Sequence, residues 1–194
     1  MLSADARVFL WINGFVGKVA LFDKLMTGLV NDYFVPVAMS LALVALWFWG
    51  REVAERENNQ RAVLGAMIGL GIASLAIWIL NIYYFRPRPF AEYESVNLLF
   101  YRPTDSSFPS NPAGVAFAIA IGVWLRNRRA GALLCCLAAL FSFARVYTGV
   151  CYPLDVVGGA LIGALCSYAI YWFLRLIEPL PTLVIKLARL FYLA

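Results

Sequence analysis

The sequence contains no histidine and few charged side chains. Lysine and arginine number 16 and aspartate and glutamate 11 among 194 residues, so that 14% of the chain is charged and 63% is hydrophobic. Soluble domains are about 25% charged and about 45–50% apolar, so this composition indicates an integral membrane protein. Histidine is the usual physiological general base and the commonest metal ligand, and its absence disfavours a redox or pigment subunit. We therefore expect neither a cofactor nor a bound metal.

Cysteine is also scarce, and its spacing forms no motif. The four cysteines include no C-x-x-C pair, the pattern that indicates a redox or zinc site. Three of them lie in apolar runs, where cysteine is usually a small buried residue; they are Cys135, Cys136 and Cys166. The fourth, Cys151, lies in a polar segment, four residues before Asp155.

Long apolar runs predict an all-α integral membrane protein with a polytopic helical bundle. Five runs are clear candidates for membrane spans, at residues 33–49, 62–85, 113–125, 130–144 and 154–174. The second run would form a helix of about 36 Å, enough to cross a bilayer with some tilt. Its Gly69 and Gly71 favour close contact with a neighbouring helix.

The whole chain, residues 1–194, is predicted to form one membrane domain around a core bundle at residues 33–175. Residues 1–30 mix apolar and polar positions, which is typical of interfacial or partly inserted N-terminal helices. Residues 176–194 combine leucines with basic and proline residues. They are predicted to form an amphipathic C-terminal tail.

Arginines in short loops predict the orientation of the chain. The loops at residues 51–61 and 126–129, together with Arg175, share one side if the spans alternate. Short loops rich in arginine face the cytoplasm. This arrangement indicates membrane topology and lipid contact, and we expect no nucleic-acid partner. The opposite side then carries Arg88 and Arg145, against the usual rule, and a bound anion there would explain both.

Three polar segments on that opposite side, at residues 86–89, 108–114 and 145–155, predict one site built from helix ends. Arg88 and Arg145 can each donate two N–H groups to phosphate oxygens. Ser110 and Asn111 stand at the start of the third apolar run, where a helix N-terminus favours an anion. Asp155 lies at the mouth of a span and needs a charged partner. Together these residues predict a phosphate-binding site in contact with lipid.

The spacing of these segments resembles the type 2 phosphatidic acid phosphatase superfamily, which groups membrane lipid phosphatases with vanadium haloperoxidase-like proteins. The family motifs K-x6-R-P, P-S-G-H and S-R-x5-H-x3-D align with residues 81–89, 109–112 and 144–155. The resemblance covers residues 33–175. It implies a six-helix membrane bundle, to which the five clear spans and an N-terminal helix correspond.

This sequence departs from the family at the positions that perform its chemistry. The resemblance implies a nucleophilic histidine in the third motif, an acid histidine in the second and a phosphate-binding lysine in the first. Those positions hold Cys151, Pro112 and Asn81. The resemblance also implies that the aspartate of the third motif orients the nucleophile. The family positions that are retained are Arg88, Ser110, Arg145 and Asp155.

These replacements favour a pseudo-phosphatase that binds a lipid phosphate or serves as an accessory subunit of a larger membrane assembly. A positioned acid contributes about 10²–10⁴-fold to a rate, and the loss of a nucleophile costs at least as much. The alternative is an active phosphatase with a non-standard nucleophile. Its substrate would be phosphatidic acid, phosphatidylglycerol phosphate or a polyprenyl pyrophosphate. A lipid or ion transporter is a third possibility, although no acidic relay lies within the predicted spans.

Cys151 is the obvious replacement nucleophile, because a thiolate can attack phosphorus. The C-x5-R loop of cysteine phosphatases is absent, since the matching position is Val157. A small residue filling the space of a lost imidazole is the competing interpretation of Cys151. In either case the expected partners are membrane lipids, through a lipid phosphate headgroup. The expected location is a bacterial plasma membrane, with the site on the non-cytoplasmic face.

Overall fold

The computed structural model describes residues 3–190, and the regular structure in that range is entirely helical. The predicted all-α architecture is confirmed. In chain order the helices are α1 (Ala4–Asn13), α2 (Ala20–Val30), α3 (Phe34–Phe48), α4 (Val53–Tyr83), α5 (Pro89–Glu92), α6 (Asn111–Trp124), α7 (Arg128–Tyr147), α8 (Pro153–Leu176) and α9 (Leu180–Leu190).

Three helices are long and apolar enough to cross a membrane by themselves. They are α4 with 31 residues, α7 with 20 and α8 with 24. Helices α2 and α3 form a further candidate as a pair, bent by 57° at the break between them. Helix α6 has 14 residues, about 21 Å at 1.5 Å per residue. Large apolar side chains such as Leu75 and Trp78 lie exposed on α4, as expected of a surface that faces lipid.

Helix α6 lies at the centre of the bundle, where it packs against α4, α7 and α8. Its backbone touches that of α8 at two glycines. A Cβ on Gly159 would lie 2.2 Å from the carbonyl oxygen of Ser110, and one on Gly163 would lie 2.1 Å from that of Gly114. No larger residue fits at either position without moving a helix. This contact holds the N-terminal ends of α6 and α8 side by side.

Of the two α4 glycines predicted to allow close helix contact, only one does so. A Cβ on Gly69 would lie 2.5 Å from Oγ of Ser167 in α8, whereas one on Gly71 would meet no atom of the described residues within 4 Å outside its own helix backbone. The Ser167 hydroxyl donates to the carbonyl oxygen of Ala118 in α6 at 2.7 Å. Gly69 therefore lies where α4, α6 and α8 meet.

The arginine-rich loops meet at one end of the bundle, here called the basic end. Asn58 Nδ2 donates to the carbonyl oxygen of Arg126 at 2.9 Å, and Asn127 Nδ2 donates to Asn59 Oδ1 at 2.9 Å. These bonds join the start of α4 to the turn between α6 and α7. Burial and the neighbouring charge of Arg61 lower the pKa of Arg126. The three predicted polar segments lie at the other ends of the same helices.

The terminal helices attach to the bundle by polar contacts. In α1, Asn13 Nδ2 donates to the carbonyl oxygens of Tyr147 and Asn97, both at 2.9 Å. Helix α9 lies within the predicted tail and is tied to α4 by an ion pair of Arg189 with Glu57 at 3.1 Å. The last four residues of the predicted tail, 191–194, lie outside the described range. The interfacial position of these terminal helices stays a prediction.

Candidate functional site

The three polar segments contact one another directly at the end opposite the basic end. Arg88 Nη1 donates to the carbonyl oxygen of Val150 at 3.0 Å, which joins the first segment to the third. The backbone N–H of Ser110 donates to the carbonyl oxygen of Asp155 at 3.0 Å, which joins the second to the third. The helix ends that the sequence places on one side of the membrane therefore form one cluster.

Cys151 lies inside this cluster with a free thiol. It is 1% exposed, and its Sγ accepts a hydrogen bond from Nη1 of Arg88 at 3.4 Å. The N–H groups of Val150 and Cys151 donate to the carbonyl oxygen of Arg145 at 3.0 and 3.3 Å. This turn after α7 holds the thiol and two of the predicted phosphate-binding arginines together.

Arg145 is buried and has an acidic partner that the sequence does not predict. Its Nη1 lies 3.2 Å from Oδ1 of Asp32, at the break between α2 and α3. Its guanidinium lies 5.8 Å from the centre of the Phe141 ring. The hydroxyl of Tyr101 donates to Oδ2 of Asp32 at 2.6 Å. This hydrogen bond, with burial, raises the pKa of Tyr101.

Asp155 is fully buried, and its carboxylate has three hydrogen-bonding or cationic partners around it. Oδ2 accepts from the Ser107 hydroxyl and from the Tyr152 N–H, the latter at 3.0 Å. Oδ1 pairs with Nη1 of Arg86. Among the described contacts none joins Asp155 to Cys151. The family role of this aspartate, which is to orient the nucleophile, therefore stays a prediction.

Arg86 connects Asp155 to the N-terminal helix. Its Nη2 pairs with Oδ2 of Asp5 at 2.7 Å, and Oδ1 of Asp5 accepts from the Leu154 N–H at 3.0 Å. Burial lowers the pKa of Arg86, but the hydrogen bonds and charges of the two aspartates raise it more, so that the pKa is higher than usual. Asp5 thus satisfies an N–H in the first turn of α8 and fixes Arg86 at the same time.

Ser110 and Asn111 begin α6 but do not behave as ordinary caps. Ser110 is the N-cap residue, yet its side chain makes no capping bond. Its Oγ is buried without a hydrogen-bond partner among the described residues. Oδ1 of Asn111 accepts from the Ser74 hydroxyl at 3.2 Å. The oxygen of a serine at this position normally accepts a hydrogen bond from a backbone N–H in the first turn of the helix. Because Ser110 makes no such bond, its hydroxyl is available to a ligand.

Pro112, at the family's acid position, lines a cavity of about 270 Å³. Asp32 stands at the same cavity, and Phe141 forms part of its wall. Most of the other lining residues are apolar and come from α3, α4 and α6; they are Val35, Pro36, Met39, Ser40, Leu70, Val115, Ala116 and Ile119. The cavity therefore borders the arginine site through Asp32 and runs into the apolar bundle.

Asn81, at the family's lysine position, is not joined to the cluster by any described contact. It lies in the last turn of α4, and its Oδ1 is buried without a hydrogen-bond partner among residues 3–190. A role for Asn81 in phosphate binding stays a prediction.

The site contains acidic and hydroxyl residues that sequence reasoning missed. Asp105 pairs with Nη2 of Arg88 at 2.8 Å, and three further aspartate or serine partners come from outside the aligned motif positions; they are Asp5, Asp32 and Ser107. Arg86 belongs to the predicted polar segment at residues 86–89 and lies at the site as expected, but the sequence does not predict its pairing with Asp5 and Asp155. In the part of the chain described, no group of three or more acidic, cysteine or histidine residues is arranged to hold a metal.

Comparison with known proteins identifies the family. The PAP2 superfamily profile matches residues 62–178, more than half of the chain. This chain belongs to the PAP2 superfamily. The resemblance inferred from the three motifs is thus confirmed, and the PAP2 match spans all of them.

Individual PAP2 relatives resemble the chain over most of its length. Undecaprenyl-diphosphatase BcrC of Bacillus subtilis is 32% identical over 182 residues, which cover 93% of this chain and 90% of the relative. The crystal structure of Aquifex aeolicus LpxE superposes with a TM-score of 0.71 and 28% identity, covering 88% of this chain and 96% of LpxE.

A second solved structure shares the fold at lower identity. It is the transmembrane PAP2 type phosphatidylglycerolphosphate phosphatase from Bacillus subtilis. Its TM-score is 0.64 at 20% identity, with 91% of this chain and 87% of that protein covered. Undecaprenyl-diphosphatase BcrC and this phosphatidylglycerolphosphate phosphatase carry the names of phosphatases, and these names give the pseudo-phosphatase interpretation no support.

Proposed function

We propose that this chain is a membrane phosphatase that acts on a polyprenyl diphosphate and uses Cys151 as its nucleophile. A relative named undecaprenyl-diphosphatase is 32% identical over 93% of the chain, which supports this substrate class. The observation that carries the proposal is the thiol itself. This thiol occupies the position of the family's nucleophile. Nη1 of Arg88 lies at a distance of 3.4 Å from its Sγ.

The reaction proceeds in two displacements. Sγ of Cys151 attacks the terminal phosphorus, the bond to the bridging oxygen breaks, and its electron pair stays on the departing lipid monophosphate. The thiol proton ends on that monophosphate. Water then attacks the phosphorus of the S-phosphocysteine, which releases inorganic phosphate and restores the thiol. Arg88 and Arg145 stabilise the charge on the transferred group.

A diphosphate suits a site in which the acid position is a proline. Cleavage of the anhydride expels a phosphate group, which is weakly basic. Cleavage of a phosphomonoester expels an alkoxide, which needs a proton from an acid as it leaves. The loss of the acid at Pro112 therefore costs less on a polyprenyl diphosphate than on phosphatidic acid. The apolar cavity beside Pro112 and Asp32 can take the first part of the lipid tail.

Binding without hydrolysis is the second candidate function, and it has its own structural support. The thiol of Cys151 is 1% exposed, so a substrate must displace its neighbours to reach Sγ. The arginines of the site also already have aspartate partners. A protein of this kind would hold a diphosphate headgroup and release no phosphate.

One assay separates the two functions. The purified full chain in detergent is given undecaprenyl diphosphate or phosphatidic acid, and inorganic phosphate release is measured for wild type, Cys151→Ser and Cys136→Ser. Cys136 is an exposed thiol on α7 and serves as the matched control. We expect release from the diphosphate by wild type and Cys136→Ser. Release by Cys151→Ser should be lower by about 10²-fold or more.

Two results would contradict the proposal. No release by wild type in a single turnover would favour binding without hydrolysis. Release by Cys151→Ser at the wild-type rate would mean that another group attacks phosphorus.

The proposed location is the plasma membrane of a bacterium, with the site on the non-cytoplasmic face. The support is the basic end, where Arg61 near the start of α4 lies close to Arg126 in the turn between α6 and α7, because short arginine-rich connections between spans stay in the cytoplasm. The diphosphate would then reach the protein from the outer leaflet.

A further inference from the structure

Asp32 pairs with Arg145, an arginine that is predicted to bind the phosphate of a ligand. It lies before the range that matches the PAP2 profile, residues 62–178, at the 57° bend between α2 and α3. Its carboxylate nevertheless reaches Nη1 of Arg145 at 3.2 Å. Arg145 is the arginine of the third motif and one of the two guanidinium groups predicted to bind phosphate.

Two polar groups of the predicted phosphate site have no hydrogen-bond partner among the described residues. Nε of Arg145 and Oγ of Ser110 are both buried and have no hydrogen-bond partner among the described residues. Ser110 and Arg145 are each 2% exposed, so bulk water does not serve them either. Buried donors of this kind are costly unless something binds them. The carboxylate of Asp32 therefore satisfies only part of the Arg145 guanidinium, and Nε of Arg145 is left as a donor for a phosphate.

The two partners differ in their freedom to move. The side chain of Arg145 is 3% exposed, whereas that of Asp32 is 36% exposed. Asp32 also lines the cavity that borders Pro112. Its second oxygen accepts from the hydroxyl of Tyr101 at 2.6 Å, a residue that is itself 57% exposed. Asp32 can turn out to water while Arg145 stays in place.

We infer that Asp32 is an internal competitor for the phosphate headgroup on Arg145. This inference rests on the headgroup site of the proposed function. In the empty protein Asp32 neutralises a buried guanidinium, which would otherwise be strongly destabilising. When a diphosphate binds, its oxygens replace the carboxylate on Arg145, and Asp32 and Tyr101 move away from the site together.

The competition lowers affinity for every phosphate ligand by the same factor, because only the fraction of molecules with Asp32 displaced can bind. Substrate and product are affected alike. Asp32 therefore raises the concentration of lipid monophosphate or inorganic phosphate that is needed to occupy the site, and it keeps Arg145 in position between turnovers.

The test is Asp32→Asn in the purified full chain, with inorganic diphosphate as the probe. Thermal melting is measured without ligand, and the dissociation constant is measured by titration. We expect the variant to melt at a lower temperature without ligand, because Arg145 loses its charge partner. We also expect it to bind diphosphate about five-fold more tightly, the factor typical of losing a partly exposed ion pair.

Asp23→Asn is the matched control. Asp23 lies in α2, the helix just before the bend that contains Asp32, and it accepts from the hydroxyl of Tyr147 at 2.6 Å. It has no described contact with Arg145. Its loss should lower the melting temperature without tightening diphosphate binding. A gain in affinity in Asp32→Asn alone cannot come from a general loosening of α2.

Tyr101→Phe is a second, milder variant that keeps the charge of Asp32 and removes only the hydrogen bond that holds it. We expect a smaller gain in diphosphate affinity in the same direction.

Unchanged or weaker binding in both Asp32→Asn and Tyr101→Phe would overturn the inference. Tight diphosphate binding without phosphate release in the hydrolysis assay would contradict the proposed function and leave this inference standing. Failure of wild type and every variant to bind inorganic diphosphate would overturn this inference, whereas the proposed function is decided by phosphate release in the hydrolysis assay.

Discussion

Arg86 is the residue on which the ionic network around Asp155 depends. It is paired with Asp5 and Asp155, whose side chains are 4% and 0% exposed. Removing one partner of a buried pair typically costs about 3–5 kcal/mol, and the partial exposure of Arg86 reduces this. We expect Arg86→Ala to destabilise the protein by about 2–4 kcal/mol, measured as a lower melting temperature in detergent at pH 7.

Arg102→Ala is the control, since Arg102 lies exposed and has no described ion pair. Equal melting of Arg86→Ala and Arg102→Ala would contradict the importance of the network.

At the scale of single residues, the sequence predicts the positions of the three polar segments but not the acidic residues that pair with their arginines. Arg88, Ser110 and Cys151 could be placed by their positions in three segments, and the structure brings them together. Asp5 and Asp32 could not be placed in the site from the sequence. The partners of Asp5 lie 81 and 149 residues away along the chain, and the partner of Asp32 lies 113 residues away. Only the packing of α1 and α2 against the bundle creates those contacts.

Helix packing gives a test within a single element. Gly69→Ala places a methyl group against Ser167, and Gly71→Ala places one in open space. Alanine is favoured over glycine in a helix by about 1 kcal/mol, whereas overpacking costs about 1–3 kcal/mol. We expect Gly71→Ala to melt at or above the wild-type temperature and Gly69→Ala to melt below it. Equal shifts in the two variants would contradict the close contact of α4 with α8.

Apolar runs identified the long helices correctly because the bilayer requires long apolar segments. They could not distinguish Gly69 from Gly71, since the two lie on different faces of α4 and only the bundle shows which face is covered. They also did not reveal that the run at residues 33–49, which forms α3, is the second half of a bent pair that begins with α2. A bend depends on what α2 packs against, and that is α7.

The orientation of the whole molecule can be tested with two single cysteine substitutions. Glu94 lies exposed in the loop next to the site, and Arg128 lies exposed at the basic end. We expect a membrane-impermeant thiol reagent, added to intact cells, to label Glu94→Cys and to leave Arg128→Cys unlabelled. The wild-type chain, with its four cysteines, gives the background. Labelling only at residue 128 would place the site in the cytoplasm.

The shortness of α6 determines how deep the site lies. A helix of about 21 Å that ends at one face of a hydrocarbon layer of about 30 Å leaves its other end about 9 Å below the opposite boundary. Ser110 stands at that recessed end. The bilayer around the protein must thin there or admit water to match the helix. A lipid can then sink its charged group sideways into the depression without being pulled out of its leaflet.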